Sequence, residues 1–254
     1  MKEEFTSSIT KCDNSSTPGL DKLLWRHLKN IIRDKVCLKR IINITDACFE
    51  LGHWPSHFKT FISIIIPKPN KESYNFPESF RPIVLLNTIE KLIEKVISKH
   101  LQFHSISNNF IYSSQLGSLK QRLITNVGVA LTHFIQLGWV KNNMTSTLAF
   151  NIAQFFLSLN HCMLPLILGK AEFNPKVVYF FSNYLVGRKT WYFWNKFSSS
   201  FFNIDIGVGQ GSALSPILSA LYLALVLHIL EKCLKTLIIP VSILFFINDI
   251  LIVA

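Results

Sequence analysis

The sequence predicts a fold of the α+β class, and three local patterns support that prediction. Over residues 83–102, apolar positions recur every three or four residues while three lysines fall on another face, which is typical of an amphipathic helix. Residues 58–66 form a β-branched run that ends at a proline, which indicates a strand. Near the end of the chain, two apolar runs flank only Asn248 and Asp249, which predicts a β-hairpin.

The first hundred residues predict a helix, a strand and a second helix. Leucine and isoleucine recur at helical spacing among basic residues across 20–42, which predicts an amphipathic basic helix. The strand at 58–66 is followed by a Pro-rich basic loop that contains Lys68 and Lys71. The second helix, over 83–102, has the most regular apolar spacing in the chain.

The rest of the chain predicts further alternation of strands and helices. The predicted elements are a short buried strand at 146–150, helices at 155–168 and 176–185, and hairpin strands at 241–247 and 250–254. Asn248 and Asp249 are predicted to form the two-residue turn of this hairpin, because both residue types tolerate the positive φ angles of tight turns. The hairpin therefore presents an acidic tip.

The charge of the chain favours a polyanionic partner. Its 254 residues include 26 lysines and arginines against 15 aspartates and glutamates, a formal net charge of +11. Nucleic acid and an anionic membrane surface both fit such a charge. The five cysteines are scattered without a Cys-x-x-Cys pair, which predicts a reducing, intracellular compartment. The N-terminus has no apolar stretch of signal-peptide length, so secretion is not expected.

An integral membrane protein is the main alternative from a different class. Residues 206–230 contain no charged side chain, and a membrane-spanning helix needs about 20 apolar residues. Polar residues and a proline crowd the first half of this stretch, however, and the other long apolar run is interrupted by Asn248 and Asp249. We therefore rank this alternative last and expect no membrane association.

Several motifs occur in one order along the chain. They are Pro18-Gly-Leu-Asp21, Ile66-Pro-Lys-Pro-Asn-Lys71, Phe80-Arg-Pro-Ile-Val-Leu-Leu-Asn87, the segment 148–161, the block Gly207-Val-Gly-Gln-Gly-Ser-Ala-Leu-Ser-Pro216, and Phe246-Ile-Asn-Asp249. Each motif alone is weak. Their order resembles the reverse transcriptase domain of non-LTR, LINE-like retrotransposons, and the resemblance covers nearly the whole chain.

The resemblance implies the fingers and palm of a right-hand polymerase. Residues 1–59 would be a helical N-terminal lead-in, and residues 60–254 the reverse transcriptase domain. Because the sequence stops at Ala254, directly after the hairpin, the expectation is a truncated copy whose thumb is absent. The implied activity is RNA-directed DNA polymerisation with deoxynucleoside triphosphates on an RNA template and a DNA primer, in the cytoplasm or the nucleus. The sequence does not predict an oligomeric state.

The resemblance also assigns candidate catalytic positions. A palm-type sheet supplies carboxylates from a strand end and from the neighbouring hairpin to hold two Mg²⁺ ions, with Mn²⁺ as a possible substitute. The corresponding positions here are Asn151, Asn248 and Asp249, of which only Asp249 is an acid and a weak candidate metal ligand. The amides at 151 and 248 suggest a degenerate copy that lacks activity.

Five further positions are candidates for nucleotide binding by the same resemblance. Lys68 and Arg81 would meet the triphosphate, Arg81 through its planar guanidinium. Phe156 would be the aromatic gate that rejects a ribose 2′-hydroxyl, and Gln210 and Gly211 would line the nucleotide pocket. The alternative interpretations are a core phenylalanine, solvated basic residues, and glycines needed for close backbone approach. As a second function, the basic chain would be a non-catalytic nucleic-acid-binding remnant.

Overall fold

The computed structural model describes residues 2–111, 113–117, 119, 122–234, 236 and 241–254. The helices in these residues are α1 (Lys2–Thr10), α2 (Trp25–Ile31), α3 (Lys35–Glu50), α4 (Thr88–Ser107), α5 (Ile124–Val140), α6 (Phe155–Ser158), α7 (Met163–Lys170), α8 (Pro175–Leu185) and α9 (Ser215–Leu234). The strands are β1 (Thr60–Pro67), β2 (Phe80–Leu85), β3 (Thr147–Asn151), β4 (Arg188–Trp194), β5 (Phe197–Ser198), β6 (Phe202–Ile204), β7 (Ser242–Phe246) and β8 (Asp249–Val253). This combination confirms the predicted α+β class.

The chain divides into two compact units, each built from two separate stretches. Unit 1 comprises Met1–His100 and Phe156–Ser215, and unit 2 comprises Leu101–Phe155 and Pro216–Ala254. The boundary predicted between residues 59 and 60 falls inside unit 1 and stays a prediction about the lead-in segment.

Unit 1 contains a five-stranded sheet with the order β2-β1-β4-β5, in which β6 also pairs with β4. Strand β1 pairs antiparallel with β2 and parallel with β4. Along the first half of β1, buried Phe61 and Ser63 alternate with half-buried residues, as expected for a strand whose two faces meet different surroundings. The strand predicted at 58–66 is therefore confirmed, with its start two residues later.

The helix predicted across 20–42 is wrong as a single element, because the chain forms α2 and α3 with a break between them. Asp34 causes the break: its side chain accepts a hydrogen bond from the Val36 amide at 2.7 Å and so caps the start of α3. The apolar faces of both helices pack in one core cluster with α1 and α4. Its members are Phe5, Ile9, Cys12, Trp25, Leu28, Leu38, Ile41, Leu92 and Val96.

Helix α4 begins at Thr88, five residues later than predicted, because residues 83–85 belong to β2. Asp21 stabilises this start, since its Oδ2 accepts a hydrogen bond from the Thr88 amide at 2.7 Å. The Asn87 side chain in turn accepts from the Asp21 amide at 3.0 Å. Gly19 lies so close to the Leu86 carbonyl that an added Cβ would be 2.4 Å from its oxygen. The Pro18–Asp21 motif therefore has a structural role as the cap of α4.

The helix predicted over 155–168 is also divided, here into α6 and α7. Asn160 lies between them, and its side-chain oxygen accepts hydrogen bonds from the amides of Cys162 and Met163 at 2.9 and 3.2 Å. Such an Asx turn competes with continued helix. By contrast, α8 matches the helix predicted over 176–185 to within one residue.

Unit 2 contains a three-stranded antiparallel sheet with the order β3-β8-β7. Residues Leu227, Ile243 and Phe245 form the buried centre of an apolar cluster between α9 and this sheet. The strand predicted at 146–150 is confirmed as β3 in position, but the prediction that it is buried is wrong, because all five of its residues are exposed. Strand β3 lies at one edge of the sheet, whereas β7 at the other edge is largely buried.

The predicted hairpin is confirmed, but its turn lies one residue earlier than expected. Phe246 pairs with Asp249, so the two turn residues are Ile247 and Asn248, and Asp249 is the first residue of β8. Ile247 has a φ of +60°, which is unusual for a β-branched residue and is a sign of local strain. The turn therefore depends on the pairing of the strands more than on the turn preference of its residues.

Within the part of the chain that the structure describes, one helix, α9, is long and apolar enough to cross a membrane. Buried residues make up 44% of its most apolar window, among them Ile217, Leu221 and Leu227. A core helix of a soluble protein meets the same criterion, so this single helix is weak support for a membrane span.

Candidate active site

Two of the predicted metal positions face each other across the unit 2 sheet. Strand β3 ends at Asn151, and β8 begins at its register partner Asp249. Nδ2 of Asn151 donates a hydrogen bond to Oδ1 of Asp249 at 2.6 Å, and both side chains are exposed. Two carboxylates directly opposite each other would repel, whereas this amide and carboxylate attract. The sheet register therefore brings these two positions into direct contact.

The third metal position, Asn248, contacts the same strand end. Its backbone oxygen accepts a hydrogen bond from the Ile152 amide at 2.9 Å. Its side-chain Nδ2 donates to the Ile152 oxygen at 3.4 Å, a weak bond. Asn151, Asn248 and Asp249 thus lie together, with Asn248 in the turn and Asp249 as the first residue of β8.

The side chains at this cluster do not fit a centre of two magnesium ions. Magnesium prefers carboxylate oxygens, and Asp249 is the only carboxylate among the three positions. One oxygen of that carboxylate already accepts from Asn151. Among the residues that the structure describes, no group of three or more histidine, cysteine, aspartate or glutamate side chains could hold a metal ion. Asp249 alone is therefore a poor site for a divalent cation.

The glycine-rich block lies against β2 in unit 1. The Val84 backbone amide donates a hydrogen bond to the backbone carbonyl oxygen of Gln210 at 2.7 Å. The glycine-rich block is therefore bonded to the backbone of β2. An added Cβ at Gly209 would lie 2.6 Å from the Val84 side chain, and one at Gly211 would lie 2.8 Å from the Val84 oxygen. Gly211 also has a backbone φ of +113°, which residues other than glycine rarely adopt. Gly211 is therefore required by close backbone approach, and Gly209 by its contact with the Val84 side chain.

Phe156 lies beside this block. Its carbonyl accepts a hydrogen bond from the Val208 amide at 2.6 Å, and the Leu159 carbonyl accepts from the Gly207 amide at 2.7 Å. The two segments, distant in sequence, are thus joined by backbone hydrogen bonds. Phe156, Gln210 and Gly211 are consequently brought into one region of unit 1, as the resemblance implies. Phe156 is half-buried, which leaves part of its ring accessible.

His161 ties the same two segments together. Its Nε2 lies 2.6 Å from the Gly207 oxygen, so the ring donates this bond as the Nε2–H tautomer. Burial lowers the pKa of His161 below its usual value, and this effect outweighs the opposing hydrogen bond to Gly207. The ring is therefore neutral at pH 7. Sequence reasoning included His161 as the last residue of the 148–161 segment but gave it no role.

Glu94 on α4 is a residue that sequence reasoning missed. Its side chain is fully buried and accepts hydrogen bonds from the Ser212 hydroxyl at 2.6 Å and the Ala213 amide at 3.0 Å. The Tyr184 hydroxyl donates to its other oxygen at 2.6 Å. Glu94 therefore holds the residues that follow Gly211, through contacts more than a hundred residues apart in sequence.

Two further charged groups lie close to Glu94. The guanidinium of Arg188 is 4.5 Å from the centre of the Tyr184 ring and 4.8 Å from that of Phe61. Burial, followed by repulsion from Glu94, raises the pKa of Glu90 well above its usual value. Because burial next to another acid disfavours its charged form, Glu90 holds a proton more readily than an exposed glutamate does.

The basic candidates Lys68 and Arg81 lie at one end of the β1–β2 pair. Arg81 pairs with Ile66 and is exposed, and the Lys68 amide donates to the Ser79 oxygen at 2.8 Å. Nζ of Lys68 donates a hydrogen bond to the backbone carbonyl oxygen of Glu78 at 2.7 Å. Arg81 is three residues from Val84 on β2, so the two side chains lie on opposite faces of that strand. The Val84 side chain is the one that contacts Gly209 of the glycine-rich block. The structure thus groups these two residues with each other.

A cavity of about 270 Å³ lies in unit 1 between the sheet and residues 205–210. Its walls include Phe61, Ser63, Val84, Arg188, Tyr192 and Gln210. The cavity therefore connects one face of the sheet with the glycine-rich block.

Comparison with known proteins identifies the family. Residues 66–254 match the family model described as "Reverse transcriptase (RNA-dependent DNA polymerase)". The chain is 26% identical over 221 residues to the probable RNA-directed DNA polymerase from transposon X-element of Drosophila melanogaster. It is 25% identical over 224 residues to the RNA-directed DNA polymerase from mobile element jockey of Drosophila funebris. These matches cover 86% and 87% of the chain but only 24% of each relative.

Solved structures support the same fold. Telomerase from Candida tropicalis matches with a TM-score of 0.57 and 14% identity, covering 78% of this chain and 44% of the telomerase chain. Telomerase from Candida albicans matches with a TM-score of 0.52 and 13% identity, covering 80% and 39%. Both agree with a reverse transcriptase-like arrangement of fingers and palm. The chain therefore belongs to the reverse transcriptase family and is, by ancestry, the reverse transcriptase domain of a LINE-like retrotransposon.

Proposed function

We propose that this domain no longer catalyses nucleotidyl transfer as it stands and retains the ability to bind a template and a primer. The observation that supports this proposal most directly is the hydrogen bond from Asn151 to Asp249 at 2.6 Å. It uses one oxygen of the only acid among the three metal positions. In this site the Asn151 amide and the Asp249 carboxylate therefore bond to each other.

We interpret Asn151 and Asn248 as replacements of ancestral aspartates. Mg²⁺, or Mn²⁺ in its place, supplies the charge that stabilises the attacking and leaving oxygens in phosphoryl transfer. Asparagine is nearly isosteric with aspartate, so the fold tolerates the exchange while two negative charges are lost. An amide oxygen binds a divalent cation more weakly than a carboxylate does.

The partners that we propose are an RNA template, a DNA primer and deoxynucleoside triphosphates, without a membrane. The net charge of +11 supports a polyanionic partner. We place the protein in the cytoplasm or the nucleus, where such templates occur. Lys68, Arg81, Phe156, Gln210 and Gly211 remain the proposed nucleotide-binding residues.

The test is primer extension on an RNA template, with Mg²⁺ and then with Mn²⁺. The parent chain is compared with the Asn151→Asp, Asn248→Asp double variant and with the Asn195→Asp variant, which adds a negative charge in the exposed turn between β4 and β5. We expect extension by the double variant and none by the parent or the control. Extension by the parent chain would overturn the proposed inactivity.

A second candidate function, non-catalytic binding of nucleic acid, is favoured by the same basic surface. Contacts to phosphates release counterions, so the affinity would fall steeply with salt. If neither the parent nor the double variant extends a primer, salt-dependent RNA binding by both would favour this second function.

A further inference from the structure

The segment Arg188–Ile204, which forms β4, β5 and β6, has an unusual composition. It contains seven aromatic residues among 17, together with three basic residues and no acid. The aromatic residues are Trp191, Tyr192, Phe193, Trp194, Phe197, Phe201 and Phe202. A hairpin in the protein core would bury such side chains. The exposure of these rings therefore shows whether they belong to the core or to a surface.

Strand register places most of these rings on one face of the sheet. Ser63 pairs with Tyr192, Trp194 pairs with Phe197, and Thr190 pairs with Phe202. Phe80 lies on the same face. Its partner on β1 is Pro67, which is four residues from Ser63, and residues an even number of positions apart on a strand point to the same face. We name the rings on this face the aromatic strip. It comprises Tyr74, Phe80, Tyr192, Trp194, Phe197 and Phe202.

Ring contacts join five members of the aromatic strip into two groups. Phe80 packs edge-on against Trp194 with 5.9 Å between ring centres, and Tyr74 packs on Phe80 at the same distance. Tyr192 and Phe202 are 5.7 Å apart. These contacts fix the orientation of the rings without covering their outer sides.

The outer sides remain open to solvent. Phe197 is 67% exposed, Trp194 47% and Phe202 48%. A contiguous group of exposed aromatic rings on a folded domain indicates a binding surface. The strip lies on the sheet face that lines the cavity beside Gln210, since Ser63 and Tyr192 are part of that wall.

The charge near the strip favours a nucleic-acid partner over an apolar one. Exposed Lys196 lies in the turn between Trp194 and Phe197, and the segment Arg188–Ile204 contains no acid. Exposed aromatic rings beside basic side chains are the arrangement that binds single-stranded nucleic acid, by stacking on bases and attracting phosphates.

We propose that the aromatic strip is a stacking platform for the bases of a single-stranded nucleic acid. The proposal rests on the proposed binding of a template and adds the surface and the mode of recognition. Stacking does not discriminate between bases, so the platform binds RNA with little sequence preference. It does not depend on the metal positions in unit 2.

The test is binding of a short, unstructured, fluorescein-labelled RNA to the full chain, followed by anisotropy over a range of salt concentrations. We expect Trp194→Ala and Phe197→Ala each to weaken binding by roughly 5- to 150-fold at every salt concentration, because stacking does not involve counterion release. Trp194→Phe, which keeps an aromatic face, is expected to restore most of the affinity. Lys196→Ala is expected to reduce the salt slope by about one.

Trp139→Ala is the matched control, because Trp139 on α5 is also 67% exposed but lies outside unit 1. Thermal unfolding of each variant checks that the fold is retained. Affinities of Trp194→Ala and Phe197→Ala that equal those of the parent and of Trp139→Ala would overturn the proposal. A strip that instead mediates self-association would reveal itself in sedimentation, with a change in mass and none in RNA affinity.

Failure of this inference is distinguishable from failure of the proposed function. If the parent binds RNA and the strip variants bind equally well, only the stacking platform is excluded. If the parent binds no RNA at any salt concentration, both the platform and the proposed template binding are excluded.

Discussion

Asn151 and Asp249 are joined by a hydrogen bond of 2.6 Å between side chains that lie 98 residues apart in the sequence. The bond exists because β3 and β8 pair in a register that places these residues opposite each other. Its direction, from the amide to the carboxylate, is possible only while position 151 is not an acid. This contact links the sequence departure at 151 directly to the chemistry of the site.

Aspartates at positions 151 and 248 should make the stability of the protein depend on a divalent cation. In the Asn151→Asp, Asn248→Asp variant without metal, three acids repel one another, so we expect a lower Tm than that of the parent. Millimolar Mg²⁺ should raise the Tm of this variant, because a ligand that binds only the folded state stabilises it. Thermal unfolding with a Mg²⁺ titration measures both effects.

The control for this experiment is Asn195→Asp, which adds one negative charge in an exposed turn, against two in the double variant. Its Tm should show no specific response to Mg²⁺. A double variant that responds to Mg²⁺ no more than this control would contradict the assignment of the metal positions.

Gly211 should tolerate no side chain, in contrast to a glycine with free space. Because an added Cβ would lie 2.8 Å from the Val84 oxygen at a φ of +113°, Gly211→Ala should lower the free energy of unfolding by more than about 1 kcal/mol. Gly169 in α7 has nothing within 4 Å of the corresponding position. Gly169→Ala should be neutral or stabilising by up to about 1 kcal/mol. Urea unfolding compares the two variants.

Glu90 and Glu94 should respond oppositely to the same substitution. Glu94 accepts three hydrogen bonds from Tyr184, Ser212 and Ala213, so Glu94→Gln should cost about 1.5–3 kcal/mol of unfolding free energy. Glu90→Gln removes a buried acid that resists ionisation and should be neutral or stabilising at pH 7. Equal losses in both variants would contradict the distinct roles assigned to these two residues.

The pH dependence gives a further test of Glu90. Its pKa in the folded protein is raised, so the folded state binds more protons than the unfolded state above about pH 4.3. The contribution of Glu90 to stability is therefore complete at acidic pH and is lost as the pH rises through the folded pKa. Between pH 5 and pH 8, the parent should lose stability relative to Glu90→Gln, as measured by urea unfolding.

Asp21 should stabilise α4 although it lies far outside that helix. Asp21→Ala removes the acceptor for the Thr88 amide and should lower the free energy of unfolding by about 0.5–2 kcal/mol. Asp21→Asn keeps one side-chain oxygen and should cost less. If Asp21→Asn cost as much as Asp21→Ala, hydrogen bonding at the start of α4 would not be the cause.

Local sequence patterns were sufficient to predict those helices and strands whose formation depends on neighbouring residues. The strand near Ile64, the helix around Leu92, α8 and the final hairpin follow from apolar periodicity and from the turn between two apolar runs. The order of the motifs was also readable in the sequence and led to the correct family. Each of these elements is encoded within about twenty consecutive residues, whereas the order of the motifs extends from Pro18 to Asp249.

Tertiary structure decided the boundaries and the contacts of the site. The break before α3 depends on one cap from Asp34, and the assignment of Ile83 to a strand depends on pairing with Ile64. The shift of the hairpin turn to Ile247 depends on strand register. Such boundaries are set by competition between local preference and distant pairing.

The sequence by itself determined the α+β class and the family, and it shows amides at positions 151 and 248. Only the tertiary structure decided that Asn151 donates to Asp249, that Glu94 holds the residues after Gly211, and that Asp21 caps α4. The physical reason is that these contacts join residues that are 67 or more positions apart in the sequence. Their geometry follows from sheet register and packing, which no local pattern of residues specifies.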